Sequence, residues 1–520
     1  MPRLTFTRKL DAAGLAALRQ PRDDIVGERA DGEDRFVQAD GPFITYERRI
    51  EVLDTNGVDG TEHTVQQTIE FQLPRGTWRF VVHRAVARTL RKPPAKSGKM
   101  PWWAPSQRPD ARAATILGLL AALSLTLGYL ATLIGRTMTF AADEFGVGKT
   151  AQSVALSSVR VGAALAIGLT ALADRRGRKL ILVASMLTSI GTTALGALTP
   201  NLAGLVASQA VARGAMAAAV VMLGIIVAEE MPAGARAYAV SLLAMTTALG
   251  AGMALWILPV ADIGLRAWRI LYVVPLLMIP AVLHFTRLLP ETRRFERPHP
   301  TVSLRSALSR LWVLAAVMFL YNIFNGSIPQ FQNDFLRDER HFSAGAISLF
   351  VTVTSTPAGL GIIVGGRLAE TIGRRAVAAW SVTVSTALIG ASFAVSGPPM
   401  WILATAGAVI AGAIVPSVLV YWPELFPTSL RGRSNGIVSA AASAGSVVGL
   451  LAIGVLADKF GSFAATMPVV AIGPILMVVL ILKRFPESAH RELEDLNPVD
   501  RMATGDNPTI PAPRSTHNPG

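Results

Sequence analysis

The chain has 520 residues, of which 51% are apolar and only 16% charged, with a formal net charge of +14 and a mean hydropathy of +0.44. An average soluble protein carries about 25% charged residues, so too little charge is present here to cover the surface of a water-soluble multidomain protein. The absence of cysteine removes disulfide scaffolds, thiolate metal sites and cysteine nucleophiles.

The first 110 residues are rich in charge and contain no apolar run of the roughly 18 residues needed to cross a bilayer. Met1 to Lys9 is followed by no apolar stretch, so no signal peptide is expected. Residues 64–73 place Val65, Ile69, Phe71 and Leu73 on one face at period two, which reads as a half-buried strand. Residues 43–53 read as its partner, with a turn signal at Asn56-Gly57 between them. Residues 1–110 are therefore expected to form a small soluble α+β module, whose role the sequence does not disclose.

From Ala113 onwards long uncharged stretches alternate with short charged ones. Twelve spans follow, at about 113–135, 151–173, 180–199, 201–228, 237–260, 268–288, 311–332, 344–368, 376–397, 399–422, 434–457 and 462–482. Each is close to the ~20 residues that an α-helix needs to cross a membrane. The uncharged run 376–423 is too long for one crossing and is broken at Pro398-Pro399, so it reads as a helical hairpin.

Orientation follows from the basic residues of the short loops. Arg175, Arg176, Arg178 and Lys179 follow the second span, six arginines run from Arg287 at the end of the sixth span to Arg310 just before the seventh, and residues 75–112 hold ten basic residues and one acidic. Both termini are thus expected in the cytoplasm, with the chain multi-pass in the cytoplasmic membrane. The excess positive charge is accounted for by topology, and no nucleic-acid partner is expected.

The chain also repeats itself. LADRRGRK at 172–179 recurs as LAETIGRR at 368–375, EEMPAGAR at 229–236 as PELFPTSLR at 423–431, and PET at 290–292 as PES at 486–488. All three recur at an offset of 195 or 196, each after the equivalent span. This divides the chain into a module (1–110), a first six-helix half (111–288), a central loop (289–310), a second half (311–484) and a C-terminal tail (485–520).

Duplicated six-helix halves with these loop motifs resemble the major facilitator superfamily. ELFPTSLRG at 424–432 and the PET and PES endings are similar to its sugar-porter and metabolite:proton-symporter branches. The resemblance covers about 110–490. It implies an all-α membrane protein of twelve transmembrane helices, a central site near the midplane and rocking of one half against the other. It also implies a gate of charged residues, with Asp174, Arg178, Glu229 and Arg236 in one cluster and Glu370, Arg374, Glu424 and Arg431 in the other. Against that stands the simpler reading that loop arginines only obey the positive-inside rule; the recurrence of Glu with Arg favours the gate.

Arg160 and Arg213 lie deep within the second and fourth spans, where an ionisable side chain is costly and marks a site by default. The alternatives are snorkelling for Arg160 and a structural pair for Arg213. Asn322, Asn325 and Gln330 on the seventh span offer a polar face for a ligand. Gly128-Tyr129 is followed by Leu130 rather than the Asp of proton-coupled sugar porters, so that proton site does not carry over. GVGKT at 146–150 ends like a phosphate-binding loop, but no strand precedes it and the required first glycine would fall at Asp143. The seven histidines show no metal spacing, and no cofactor is expected.

The expectation is a secondary active transporter, not an enzyme, that moves a small polar metabolite, an organic anion or a sugar, with protons as coupling ion. Drug export and a transporter-like sensor signalling through the module are the alternatives. In this cysteine-free chain, His299→Cys is expected to react with a membrane-impermeant maleimide only after the cytoplasmic side is opened. Labelling on intact cells would reverse the topology.

Overall fold

The computed structural model describes residues 3–56, 62–73, 79–93, 100–101, 103–147, 149–296, 303–342, 344–489, 491 and 493–497. Among the described residues, twelve helices are long and apolar enough to cross a membrane. In the first half they are Ala111–Met138, Val154–Arg176, Arg178–Gly196, Leu202–Glu230, Ala233–Ile257 and Trp268–Leu288 (spans 1–6). In the second they are Ala307–Asn325, Leu349–Thr371, Arg374–Ala394, Pro398–Val418, Thr428–Ala457 and Phe463–Arg484 (spans 7–12). With twelve crossings among the described residues, Ala111 at the start of span 1 and Arg484 at the end of span 12 lie on one side, called here the terminal face.

The 376–423 run divides into spans 9 and 10 as expected. Gly397 turns the chain in the left-handed region at φ 66°, and Pro398 opens span 10, where a missing N–H costs nothing.

The repeated motifs acquire a local cause. Gly177 and Gly373 stand just before spans 3 and 9, at φ 102° and 113°. Glu291, from PET, accepts from the backbone nitrogens of Arg178 (3.0 Å) and Lys179 (3.2 Å). Glu487, from PES, accepts from those of Arg374 (3.0 Å) and Arg375 (3.1 Å). Each carboxylate thus satisfies the free N–H groups and the positive dipole end of a helix. The positive φ calls for glycine at both positions, and a Cβ there would push aside the capping carboxylate, standing 2.5 Å from Glu291 at Gly177 and 2.8 Å from Glu487 at Gly373.

The halves touch where span 2 packs on span 11 and span 5 on span 8. On the opposite face, Glu144 beyond span 1 holds the start of span 6, accepting from Trp268 Nε1 (2.8 Å) and Arg269 Nη2 (2.9 Å). Burial alone would push its pKa up, but the hydrogen bonds from Arg269 and Trp268 outweigh that and hold the carboxyl below the usual range.

The module is a five-stranded antiparallel sheet of β1 (Arg3–Asp11), β2 (Gly27–Ala30), β3 (Arg35–Asp40), β4 (Thr45–Asn56) and β5 (Glu62–Gln72), in the order β1-β5-β4-β3-β2. The expected strand pair is β4 and β5, with Thr45 opposite Gln72; Gly57 of the turn signal lies outside the described residues. Helices α1 (Ala12–Leu18) and α2 (Arg79–Leu90) cover the buried strand face. Val65 packs beside Leu15 and Leu18, whereas Ile69 and Phe71 pack beside Val86 and Leu90.

Between these two clusters runs a polar seam. Buried Arg48 pairs with Glu28 at 2.6 Å and donates to the carbonyls of Leu18 and Gln20. Arg22 pairs with Asp24 at 2.7 Å and donates to the last carbonyls of α2 at Thr89 and Leu90. Arg48→Ala would leave Glu28 buried without its charge partner, at a cost of about 3–5 kcal/mol. It is expected to open the module to limited proteolysis while the membrane-embedded region stays protected.

Candidate functional site

Three features could carry function: the charged clusters at the terminal face, the arginine pair within the spans, and the cavity between the halves.

At the terminal face two buried glutamates, Glu229 and Glu424, are each shared by two arginines. Glu229, at the end of span 4, lies 3.4 Å from Arg178 and 2.8 Å from Arg431, and accepts from Thr292 Oγ1 at 2.5 Å. Glu424, just after span 10, pairs with Arg236 at 3.3 Å and with Arg374. The expected clusters are therefore regrouped: Arg236 and Arg431 have changed places. Arg431 joins Asp174, Arg178 and Glu229, and Arg236 joins Glu370, Arg374 and Glu424. Arg236 and Arg431 each open the span that follows their own glutamate (spans 5 and 11), and these spans face the opposite half.

Backbone contacts reinforce the crossing. Asp174 accepts from the nitrogens of Gly432 and Arg433, both at 2.8 Å, and Arg178 donates to Thr428 O at 2.6 Å. In the mirror position Glu370 accepts from Tyr238 N at 3.0 Å, and Arg374 donates to Ala233 O at 3.3 Å. Alanines 237 and 369 with Val420 complete a dry patch there. The terminal face is closed in this structure.

Span 2 lies unusually close to span 4: a Cβ on Gly162 would stand 2.0 Å from Ala210 O, and one on Gly214 2.5 Å from Gly162 O. Small residues permit such an approach where no hydrophobic effect draws helices together. It brings together the arginines that flank those glycines. Arg160 and Arg213 are both half-buried. Arg160 reaches across to the second half, its Nη1 donating to Ser446 Oγ at 2.9 Å. Ser446 in turn donates to Gly326 O at 3.1 Å. Arg213 lines a void of about 10 Å³, the scale of one water, with Ser189, Thr193 and Gln209. Among the described residues the charge that acts on Arg213 is Arg160, which repels it. Every carboxylate within the spans (Asp174, Glu229, Glu230 and Glu370) lies at the terminal face.

A cavity of about 500 Å³ lies between the halves, bordered by spans 1, 4, 5, 8, 10 and 11. Its walls include Val220, Leu223, Val240, Leu243, Ile362 and Val415, with Thr132, Thr247, Trp422 and Asn435 as the polar minority. Among the described lining residues none is Arg160, Arg213, Asn322 or Asn325. Asn322 turns its amide back onto Met318 O at 2.9 Å, Asn325 ends span 7, and the side chain of Gln330 lies outside the described residues. The polar face expected on span 7 therefore does not line this cavity. The apolar wall was missed because valines and leucines that line a cavity carry the same signal as those that face lipid.

Glu229→Gln would strand Arg178 and Arg431 beside a neutral amide, and breaking such a buried pair costs about 3–5 kcal/mol. The expected outcome is at least tenfold faster alkylation of a cysteine placed at the buried position Ala369. An unchanged rate would mean that these pairs do not hold the face shut.

The membrane-spanning region matches the family model described as Major Facilitator Superfamily, over residues 114–336 and 314–505; the module lies outside that match. No curated protein matches the chain in sequence. Among solved structures, the chain is similar to the proton:xylose symporter XylE bound to 6-bromo-6-deoxy-D-glucose, with a TM-score of 0.63 and 14% identity over 75% of this chain and 99% of that one. The human organic anion transporter MFSD10 gives 0.59 and 16%, over 70% and 98%. FucP in the outward conformation gives 0.60 and 13%, over 72% and 100%. At these identities the likeness is one of fold.

Proposed function

The chain belongs to the major facilitator superfamily, whose members transport solutes across membranes, and from that premise we propose that it carries a small organic anion with an apolar body across the cytoplasmic membrane by alternating access. The observation that carries this reading is the Arg160–Arg213 pair. Two guanidinium groups lie near each other within the spans, and no carboxylate of the spans is at their depth. Arg213 stands 16 residues from Glu229, or roughly 24 Å along the helix at 1.5 Å per residue, close to the middle of a ~30 Å hydrocarbon core. A buried cation without a counterion is costly, and a substrate anion relieves that cost. Arg160 already spans the seam to Ser446, so an anion bound there would touch both halves.

The apolar cavity supplies the rest of the substrate class, because its walls suit hydrocarbon better than a polyol. The expectation of a small polar metabolite is narrowed accordingly, and a sugar fits these walls less well.

The charged clusters then act as the gate of the cytoplasmic side, on which both termini lie. Opening separates Glu229 from Arg431 and Glu424 from Arg236, and water takes over their solvation. Exposed pairs contribute about 0–1 kcal/mol, so the charges become far less coupled once wet. Protons are the proposed coupling ion, by likeness in fold to the proton:xylose symporter XylE. The carboxylates able to carry them are those of the gate.

Export of an amphiphilic drug is the second reading, and the same apolar walls favour it. Uptake into proteoliposomes with an imposed proton gradient separates the two. Arg213→Ala is expected to abolish carriage of a labelled carboxylate while the protein stays folded in the membrane. Arg213→Lys, which keeps the charge but loses the planar fork, should weaken substrate binding. Normal transport by Arg213→Ala would overturn the anion reading, and carriage of uncharged amphiphiles by that variant would establish the second.

A further inference from the structure

The module is fastened to the membrane-spanning region by the segment that links them. Met100, Trp103 and Ala104 send their side chains into the module's core beside Ile25, Phe43 and Leu90, and Ala104 is only 3% exposed. The carbonyls of this segment are held by span 8. Arg367 Nη1 donates to Pro101 O at 2.8 Å and to Ala104 O at 2.7 Å, and its Nη2 donates to Met100 O at 3.3 Å.

A few residues further on, the same segment grips the other half. Ser106 Oγ donates to Gly234 O at 2.7 Å and lies 3.3 Å from Glu370 Oε2, so one hydroxyl proton is shared between the two halves. Gln107 accepts from Gly234 N at 3.0 Å through Oε1 and donates its own backbone N–H to Gly234 O at 3.3 Å. Arg108 returns to the module through Asp23 at 2.5 Å and Asp40 at 3.3 Å. Gly234 opens span 5, and Arg367 and Glu370 close span 8. These are the two elements that must part if the terminal face is to open.

We propose that the module is a latch, which holds the gate shut by strapping the end of span 8 to the start of span 5. Asp110 caps span 1 by accepting from Ala113 N at 2.7 Å, so the strap is also continuous with the first half and resists being drawn away with the second. Opening therefore strips the guanidinium of Arg367 from three carbonyls or strips Gly234 from Ser106 and Gln107. Hydrogen bonds to a charged group are the stronger kind, so the Arg367 side is the firmer grip. A partner that draws the module off span 8 would open the gate. The module thereby acquires a regulatory role that requires no contact with the substrate.

The latch rests on the alternating-access reading, and the test separates the two. In the full-length protein with Ala369→Cys, maleimide labelling is measured in proteoliposomes, with Glu229→Gln as the reference for an opened gate. Arg367→Ala is expected to speed labelling roughly tenfold. Arg367→Lys, which keeps the charge but cannot span three carbonyls, should fall between it and the parent. The double change Ser106→Ala with Gln107→Ala acts on the other side of the strap and should also speed labelling. If Arg367→Ala does not fold, this second variant decides alone. Faster labelling in Glu229→Gln with no change in either strap variant makes the linker a passive tether. No change in any of them defeats the gate itself.

Discussion

Two buried glutamates, each divided between an arginine of its own half and one of the other, organise the terminal face. Glu229 is shared by Arg178 and Arg431, and Glu424 by Arg374 and Arg236. A carboxylate in this setting is tolerated only with its cations present. The halves are thus bound by the requirement that neither glutamate be left alone, as well as by packed surface. Under the alternating access proposed above, the arrangement is reversible because water can replace the missing partner once the face is open. It is also symmetric, since the duplication supplies each half with one glutamate to share and one arginine to lend.

The same duplication explains why the contacts come in pairs. Gly177 with Glu291 and Gly373 with Glu487 are one device built twice, a helix N-terminus capped by a carboxylate that arrives from the end of the half. Departures from the symmetry are therefore informative. Arg160 and Arg213 have no counterparts in the second half, where the offset of 196 leads to Thr356 and Val409. An asymmetric pair of cations in a pseudo-symmetric frame is what the proposed anionic cargo would require.

The linker is a second departure. Its side chains belong to the module and its carbonyls to span 8, so the module and the membrane-spanning region share a segment of backbone. In the latch proposed above, motion of either passes to the other through Arg367, without any need for a long chain of contacts.

The sequence by itself determined the twelve spans, the division into halves and the two central strands of the module. Each of these depends on residue type at a local period or on an internal offset. Charged residues at loop positions also picked out the side chains that cluster at the terminal face, but not their grouping. Which arginine meets which glutamate depends on the elements that face each other across the seam, and Arg236 and Arg431 could be placed only once span 2 lay on span 11 and span 5 on span 8. The apolar cavity was illegible for a different reason: in a membrane helix the face towards lipid and the face towards an apolar cavity select the same side chains. Nor did composition reveal the docking of the linker, because the groups that Arg367 holds are backbone carbonyls, and every residue has one.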